Sequence, residues 1–191
     1  MKTLEIIGYK RANLGKKDAK KLRDEALVPG VLYGGTEQIH FYSPIILFRE
    51  LVYSDNAYIV NLNIEGDEYK AILQDLQFHP VNEILLHVDF LLLDEKKPVK
   101  IEVPVRLTGT SPGVIKGGRL AQKLTKVKVK ALPGNLPDAI TVDISNLDLG
   151  DSARVRDIAT EKFAILNKGE LPIVTIAVTR ASRAEEGAPA K

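Results

Sequence analysis

The sequence predicts a mostly β protein with short helices, built as two domains. Three observations carry this expectation. Short apolar or alternating runs of the strand type recur along the chain, separated by clusters of Gly, Pro, Asn and Asp. Only two stretches, residues 17–26 and 45–53, have helical character. The charge also changes sign along the chain. Residues 1–95 hold ten basic and fifteen acidic groups, a net of −5, whereas residues 96–191 hold seventeen and ten, a net of +7. The change falls at Asp94-Glu95-Lys96-Lys97-Pro98, a polar stretch between apolar runs, and the domain boundary is expected there.

Residues 3–9 alternate weakly and read as the first strand. Residues 17–26 follow as a helix, with Ala19, Leu22 and Ala26 at helical spacing, Asp18 as its N-cap and Pro29-Gly30 ending it. Its apolar stripe is narrow, so it should lie on a sheet with its basic side outward. Residues 31–33 give a short strand closed by Gly34-Gly35. Ser43-Pro44 then signals a second helix over 45–53, with Pro44 at its first position. Strands are expected at 57–64, 69–78 and 85–93, with Glu65-Gly66-Asp67 as a tight hairpin between the first two.

The second half is richer in strands and poorer in helix. Residues 99–107, 126–132, 140–144 and 173–178 favour strand, separated by Thr110-Ser111-Pro112-Gly113, Lys116-Gly117-Gly118 and Pro133-Gly134. Residues 146–150 and 156–159 read as turns or single helical turns. The tail, 181–191, is small and polar without apolar periodicity, and is expected to be disordered. There is no internal repeat.

Composition narrows the function classes. The chain has 191 residues, nearly half of them apolar, which is ample for buried cores. Cysteine is absent, so disulfides and thiolate metal sites are excluded. The N-terminus lacks the apolar core of a signal peptide, and no apolar run reaches the length of a membrane span. A soluble, cytoplasmic protein with no membrane partner is expected.

The most informative stretch is KRANLGKKDAKKLR, residues 10–23, with seven basic residues against one acidic. The rest of residues 1–95 holds three basic residues, Lys2, Arg49 and Lys70, against fourteen acidic ones. An acidic domain with its positive charge gathered in one place presents a local cationic surface, whose usual partner is a polyanion, most often the phosphates of a nucleic acid; the plain alternative is a solvated helix face. Gly15 lets the backbone approach such a partner closely. Tyr33, among glycines, either stacks on a base or bonds a phosphate, or serves as an ordinary core or strand aromatic.

A second cluster lies at Gln74-Asp75-Leu76-Gln77-Phe78-His79-Pro80 and Leu86-His87-Val88-Asp89-Phe90. On a strand His87 and Asp89 share one face, with Val88 and Phe90 on the other. Gln and His suit base edges and ribose hydroxyls; equally, His87 and Asp89 can simply bond one another. A metal site from His79, His87 and Asp89 has the right donors but not the spacing of a tight ligand motif. Neither G-x-S-x-G nor G-x-x-x-x-G-K-[ST] occurs, so no enzymatic motif is present. In the second half, Lys126, Lys128 and Lys130 fall on one strand face, either as a further RNA surface or as the guard of a sheet edge.

R-x(3)-GKKDAKKLR, VPGVLYGG, QDLQFHP and LHVDFL, in this order, resemble the bacterial large-subunit ribosomal protein twenty-five family, which binds 5S ribosomal RNA. VPVRLTGTSPGVIKGGRL, ALPGNLPDAITVDISNLDLGDS and IVTIAV extend the resemblance to the long, two-domain Ctc or general-stress form, over nearly everything but the tail. The resemblance implies a small antiparallel β-barrel with short helices, residues 1–95, followed by an all-β domain, residues 96–180. It implies that the barrel grips the loop E region of 5S ribosomal RNA. Arg11, Lys16, Lys20, Lys21 and Arg23 would meet phosphates and grooves, while Tyr33, Gln74, Gln77, His79, His87 and Asp89 complete the surface. It further implies a monomer within the ribosome beside 23S ribosomal RNA or other ribosomal proteins, with no cofactor and no catalysis. Two positions depart from the family: Phe78 stands where many members carry a basic residue, and Ala19 where some carry a small hydroxyl. Two rival readings are a stress-linked protein-interaction module working through the second domain, and a metal-dependent hydrolase using His79, His87 and Asp89.

Overall fold

The computed structural model describes residues 1–160 and 163–179. It divides into two compact units, the first formed by Met1–Ile101 with Leu132–Leu136 and the second by the rest of the described chain. The first unit runs β1 (Lys2–Lys10), α1 (Lys16–Asp24), β2 (Leu27–Tyr33), β3 (Ile39–Pro44), a 3-10 turn (Ile45–Phe48) continuing into α2 (Arg49–Tyr53), β4 (Tyr58–Ile64), β5 (Asp67–Phe78) and β6 (Leu85–Leu92). Its six strands close into a barrel in the order β1-β3-β2-β6-β5-β4. Four seams are antiparallel, while β1–β4 and β2–β6 pair in parallel.

Alternation explains the closure. Along β4, Tyr58, Val60, Leu62 and Ile64 are buried inside while Ile59, Asn61 and Asn63 face out. Ile6, Val28, Leu32, Phe41, Val88 and Phe90 fill the same core. The Phe41 and Phe90 ring centres lie 6.1 Å apart, and a Cβ on Gly30 would stand 2.7 Å from Phe41 and 2.6 Å from Val88. Glycine at position 30 is therefore what lets β2 run against those side chains. The β4–β5 hairpin turns at Glu65 (φ 56°) and Gly66 (φ 101°), two left-handed residues that match the twist of the flanking strands.

Several boundaries differ from the sequence expectation, each for a local reason. Gly15, not Asp18, takes the N-cap position of α1; Asp18 sits in the first turn and bonds Arg11 instead. The helix stops at Asp24, and Ala26 (φ 59°) reverses the chain while its N–H donates to Arg23 O at 3.1 Å. Pro29 and Gly30 consequently lie within β2 rather than ending the helix. Ser43-Pro44 ends β3, a strand with no sequence signal recognised above. The buried Ser43 hydroxyl donates to Ile7 O at 2.7 Å, so it serves the barrel and not a helix cap.

β7 (Val99–Thr108) starts in the first unit and runs into the second, which continues with α3 (Pro112–Ile115), β8 (Arg119–Gln122), β9 (Lys126–Ala131), β10 (Ile140–Asp143), β11 (Ser152–Arg154), β12 (Ala164–Ile165) and β13 (Pro172–Ala177). Two sheets form, β10-β7-β9-β12 and β11-β13-β8, over a core that includes Val103, Val127, Val129, Ile173, Val174 and Ile176. Residues 181–191, expected to be disordered, lie outside the described residues. No helix among the described residues is long and apolar enough to cross a membrane.

Candidate nucleic-acid interface

The basic run folds into two populations with different work. Lys16, Lys17, Lys20 and Lys21 stand exposed on α1; Lys21 has only a 3.9 Å approach to Glu25. Lys10, Arg11 and Arg23 are engaged within the protein. Lys10 Nζ lies 3.3 Å from Asp67, whose hydrogen bond and charge hold the ammonium above its usual value. The Arg11 side chain is only 9% exposed; its Nη2 donates to Asp18 Oδ2 at 3.0 Å and to Asn13 O at 3.2 Å. Arg23 Nε donates to Leu86 O on β6 at 3.0 Å.

These contacts explain how α1 is held. It is nine residues long with no fully buried residue, and Ala19 and Leu22 are half-buried. A helix this short is marginal on its own. The Arg11–Asp18 pair fixes its first turn and Arg23 its last, so polar pins do what a narrow apolar stripe does not. The four lysines are left facing solvent. Gly15 has extended backbone, and nothing lies within 4 Å of where its Cβ would stand, so the approach to α1 is open there.

Beside the Arg23 pin, β6 presents His87 and Asp89 outward while Val88 and Phe90 are buried in the barrel. His87 Nδ1 lies 2.7 Å from Asp89 Oδ1, but the Nδ1 makes no hydrogen bond, so the two are close neighbours without the bond that one reading of their spacing offered. Across the antiparallel seam Gln77 stands opposite His87, and Asp75 opposite Asp89. Across the parallel seam β2 brings Val31 beside Asp89 and Tyr33 beside Leu91. Burial pushes the Tyr33 phenol above 10.0, and the Asp89 and Asp75 carboxylates push it the same way. At neutral pH it therefore carries its proton and is a hydrogen-bond donor.

The strand registers thus put Tyr33, Gln77, His87 and Asp89 on one polar face, with Arg23 of α1 bonded to Leu86 beside it. Gln74 is exposed at a β-bulge between Leu73 and Asp75, a device that re-aims a side chain out of the regular alternation. His79 lies in the β5–β6 turn, where its Nδ1 accepts from the N–H groups of Val81 and Asn82 at 3.3 Å each. No group of three His, Asp or Glu side chains able to hold a metal ion occurs among the described residues, so His79, His87 and Asp89 do not form a ligand set.

Sequence reading missed Asp75 as a member of this face and Asp18 as the anchor of Arg11. Both depend on pairings across the fold that local spacing does not carry. Phe78, 40% exposed, lines an apolar groove of about 280 Å³ with Ile45, Val52, Tyr53 and Ile84 instead of joining the polar face.

Comparison with known proteins matches both units. Residues 6–90 fit the model described as the Ribosomal L25p family, and residues 98–180 fit the one described as Ribosomal protein TL5, C-terminal domain. The chain is 55% identical over 191 residues to the Large ribosomal subunit protein bL25 of Cytophaga hutchinsonii, covering 100% of both chains. It is 53% identical over 184 residues to the protein of that name from Amoebophilus asiaticus, covering 96% of this chain and 94% of the relative. The Porphyromonas gingivalis protein of that name is 42% identical over 185 residues, covering 96% of each.

Proposed function

We propose a function from one premise: this chain belongs to the Ribosomal L25p family, in the two-domain form with a TL5-type C-terminal domain. It is accordingly a structural, non-enzymatic constituent of the large subunit of the bacterial ribosome, and its place is the cytoplasm. Its partner, in our reading, is 5S ribosomal RNA, bound by residues 1–95. Residues 96–180 form the second domain and reach neighbouring 23S ribosomal RNA or ribosomal proteins, and the protein enters the ribosome as a monomer.

One observation supports this most: exposed lysines stand on a helix that Arg23 pins to β6, the strand that carries a polar face rich in donors and acceptors. Lys16, Lys20 and Lys21 attract phosphates by charge and counterion release. Arg11 and Arg23, in the protein alone, hold the helix in place, and Arg23 keeps further guanidinium N–H groups for the RNA. Tyr33 donates from its phenol, and Gln77 offers both a donor and an acceptor. Asp89 stands against the His87 ring, and the two add polar atoms to the same strand face. Gln74 and His79 extend the surface along β5 and its turn. Phosphate contacts set register, while these side chains read an irregular, unstacked RNA segment.

The test is charge reversal at two lysines with no structural contact, Lys16→Glu with Lys20→Glu, in the whole chain. The fold should be untouched by circular dichroism, and affinity for 5S ribosomal RNA should fall by about two orders of magnitude, as loss and reversal of two phosphate contacts demand. Unchanged affinity in a gel-shift assay would remove α1 from the interface.

A further inference from the structure

The second unit carries a charge pattern that the 5S reading does not use. β9 alternates Lys126, Val127, Lys128, Val129, Lys130 and Ala131, with Val127, Val129 and Ala131 buried and all three lysines exposed. One purpose of such a row is to guard a free sheet edge. The topology weakens that purpose, because β9 lies between β7 and β12, whose two residues cover the Val129–Lys130 end. Ala164 and Ile165 pair with Lys130 and Val129. Lys128 N donates to Asn167 Oδ1 at 2.7 Å, and Lys128 O accepts from Leu166 N at 2.9 Å. The backbone on that side is thus occupied from Lys128 to Lys130.

The row is also poorly neutralised. Among the described residues, Glu102 is the carboxylate in ion-pair reach, its Oε1 3.7 Å from Lys128 Nζ on well-exposed side chains. Lys126 and Lys130 have no such partner there. Alternate strand residues stand about 6.5–7 Å apart, so the three ammonium groups repel along one line. The fold gains nothing from that repulsion. What the arrangement offers is a straight comb of positive charge on a strand held from both sides. No Gln, Asn, His or aromatic residue interrupts it, so it carries charge without any group suited to reading bases.

We propose that the Lys126–Lys128–Lys130 face of β9 is a second RNA-binding surface, which grips the phosphate backbone of a duplex RNA segment without reading its sequence. The inference rests on the reading that this protein works bound to ribosomal RNA, and it adds a division of labour. The barrel recognises one RNA; the second domain holds whatever duplex lies beside it, and so fixes its own position in the subunit.

The experiment uses the whole chain with α1 silenced by Lys16→Gln, Lys20→Gln and Lys21→Gln, probed with a short RNA duplex of unrelated sequence across a low-salt series. Residual binding is expected, with log K falling against log salt at a slope of about −2.7 for three phosphates. Adding Lys126→Gln, Lys128→Gln and Lys130→Gln should cost about tenfold or more at the lowest salt and flatten that slope. Arginine at the same three positions should retain both affinity and slope, which separates charge from any damage to the sheet. The proposal is overturned if no residual binding is seen, if the glutamine changes leave it intact, or if the arginine variant loses as much as the glutamine one. Tighter binding of poly-glutamate than of the duplex would likewise overturn it, by assigning the face to an acidic protein. Failure of the 5S reading shows separately, as an unmodified chain that does not prefer 5S ribosomal RNA over the same duplex.

Discussion

Arg11 decides how the basic helix is presented. Its guanidinium is nearly buried; Nη2 donates to both Asp18 and the Asn13 carbonyl, which offsets the cost of burying the charge, while the buried Nε has no partner. Asp18 is 35% exposed, which screens the pair and lowers its worth below that of a fully buried one. Removing Asp18 as Asp18→Ala should cost about 1–3 kcal/mol in urea unfolding, from a charged hydrogen bond lost and a guanidinium left behind. A cycle with Arg11→Ala should show strong coupling, since the double variant leaves no orphan. Tyr33 gives a second prediction at this scale. Its phenol is raised in the folded protein, by burial first and then by Asp89 and Asp75. The folded state thus holds the proton more tightly than the unfolded chain does. The resulting stability is complete below pH 10.0 and is lost as pH rises through the folded value. The wild type should therefore lose stability above pH 10.0 more steeply than Tyr33→Phe, and equal slopes in urea melts would refute the placement of Tyr33 beside the carboxylates.

At the scale of elements, the barrel depends on close approach of β2 to its neighbours. Gly30→Ala places a methyl group 2.6 Å from Val88 Cγ2 and 2.7 Å from Phe41 Cζ. Overpacking of this kind should cost about 1–3 kcal/mol, read as a lower urea midpoint at unchanged slope. Much of this architecture was legible beforehand. β1, β4, β5, β6, β7, β9, β10 and β13 announce themselves by alternation or apolar runs, and Glu65-Gly66 by turn chemistry. β3 was not legible, because Ser43-Pro44 reads locally as a helix start while the barrel spends Ser43 on the Ile7 carbonyl. β8, β11 and β12, of two to four residues, are strands only by virtue of their partners. The candidate site follows the same division. Which side of β6 His87 and Asp89 share was readable from period-two alternation, and so was the exposure of the α1 lysines. That Asp75 faces Asp89, that Arg11 turns inward and that Arg23 pins α1 to Leu86 depends on long-range register.

Taken whole, the molecule separates charge by unit. The first half of the chain is net negative apart from its one basic run, and the second is net positive. The fourteen acidic groups of the first half outside the basic run repel a polyanion, while the α1 lysines attract it, so charge can orient as well as capture the partner. Capture by charge alone would be salt-sensitive and indifferent to sequence. Recognition through Tyr33, Gln77, His87 and Asp89 would survive at physiological salt. The most direct test is equilibrium binding of the whole chain to 5S ribosomal RNA and to an unrelated duplex RNA over a salt series. The account predicts a slope of about −4 against log salt for both, from four to five neutralised phosphates, with a clear preference for 5S ribosomal RNA that persists at physiological salt. Equal affinity for the two RNAs, erased together as salt rises, would contradict it and leave α1 as a basic helix without a specific partner.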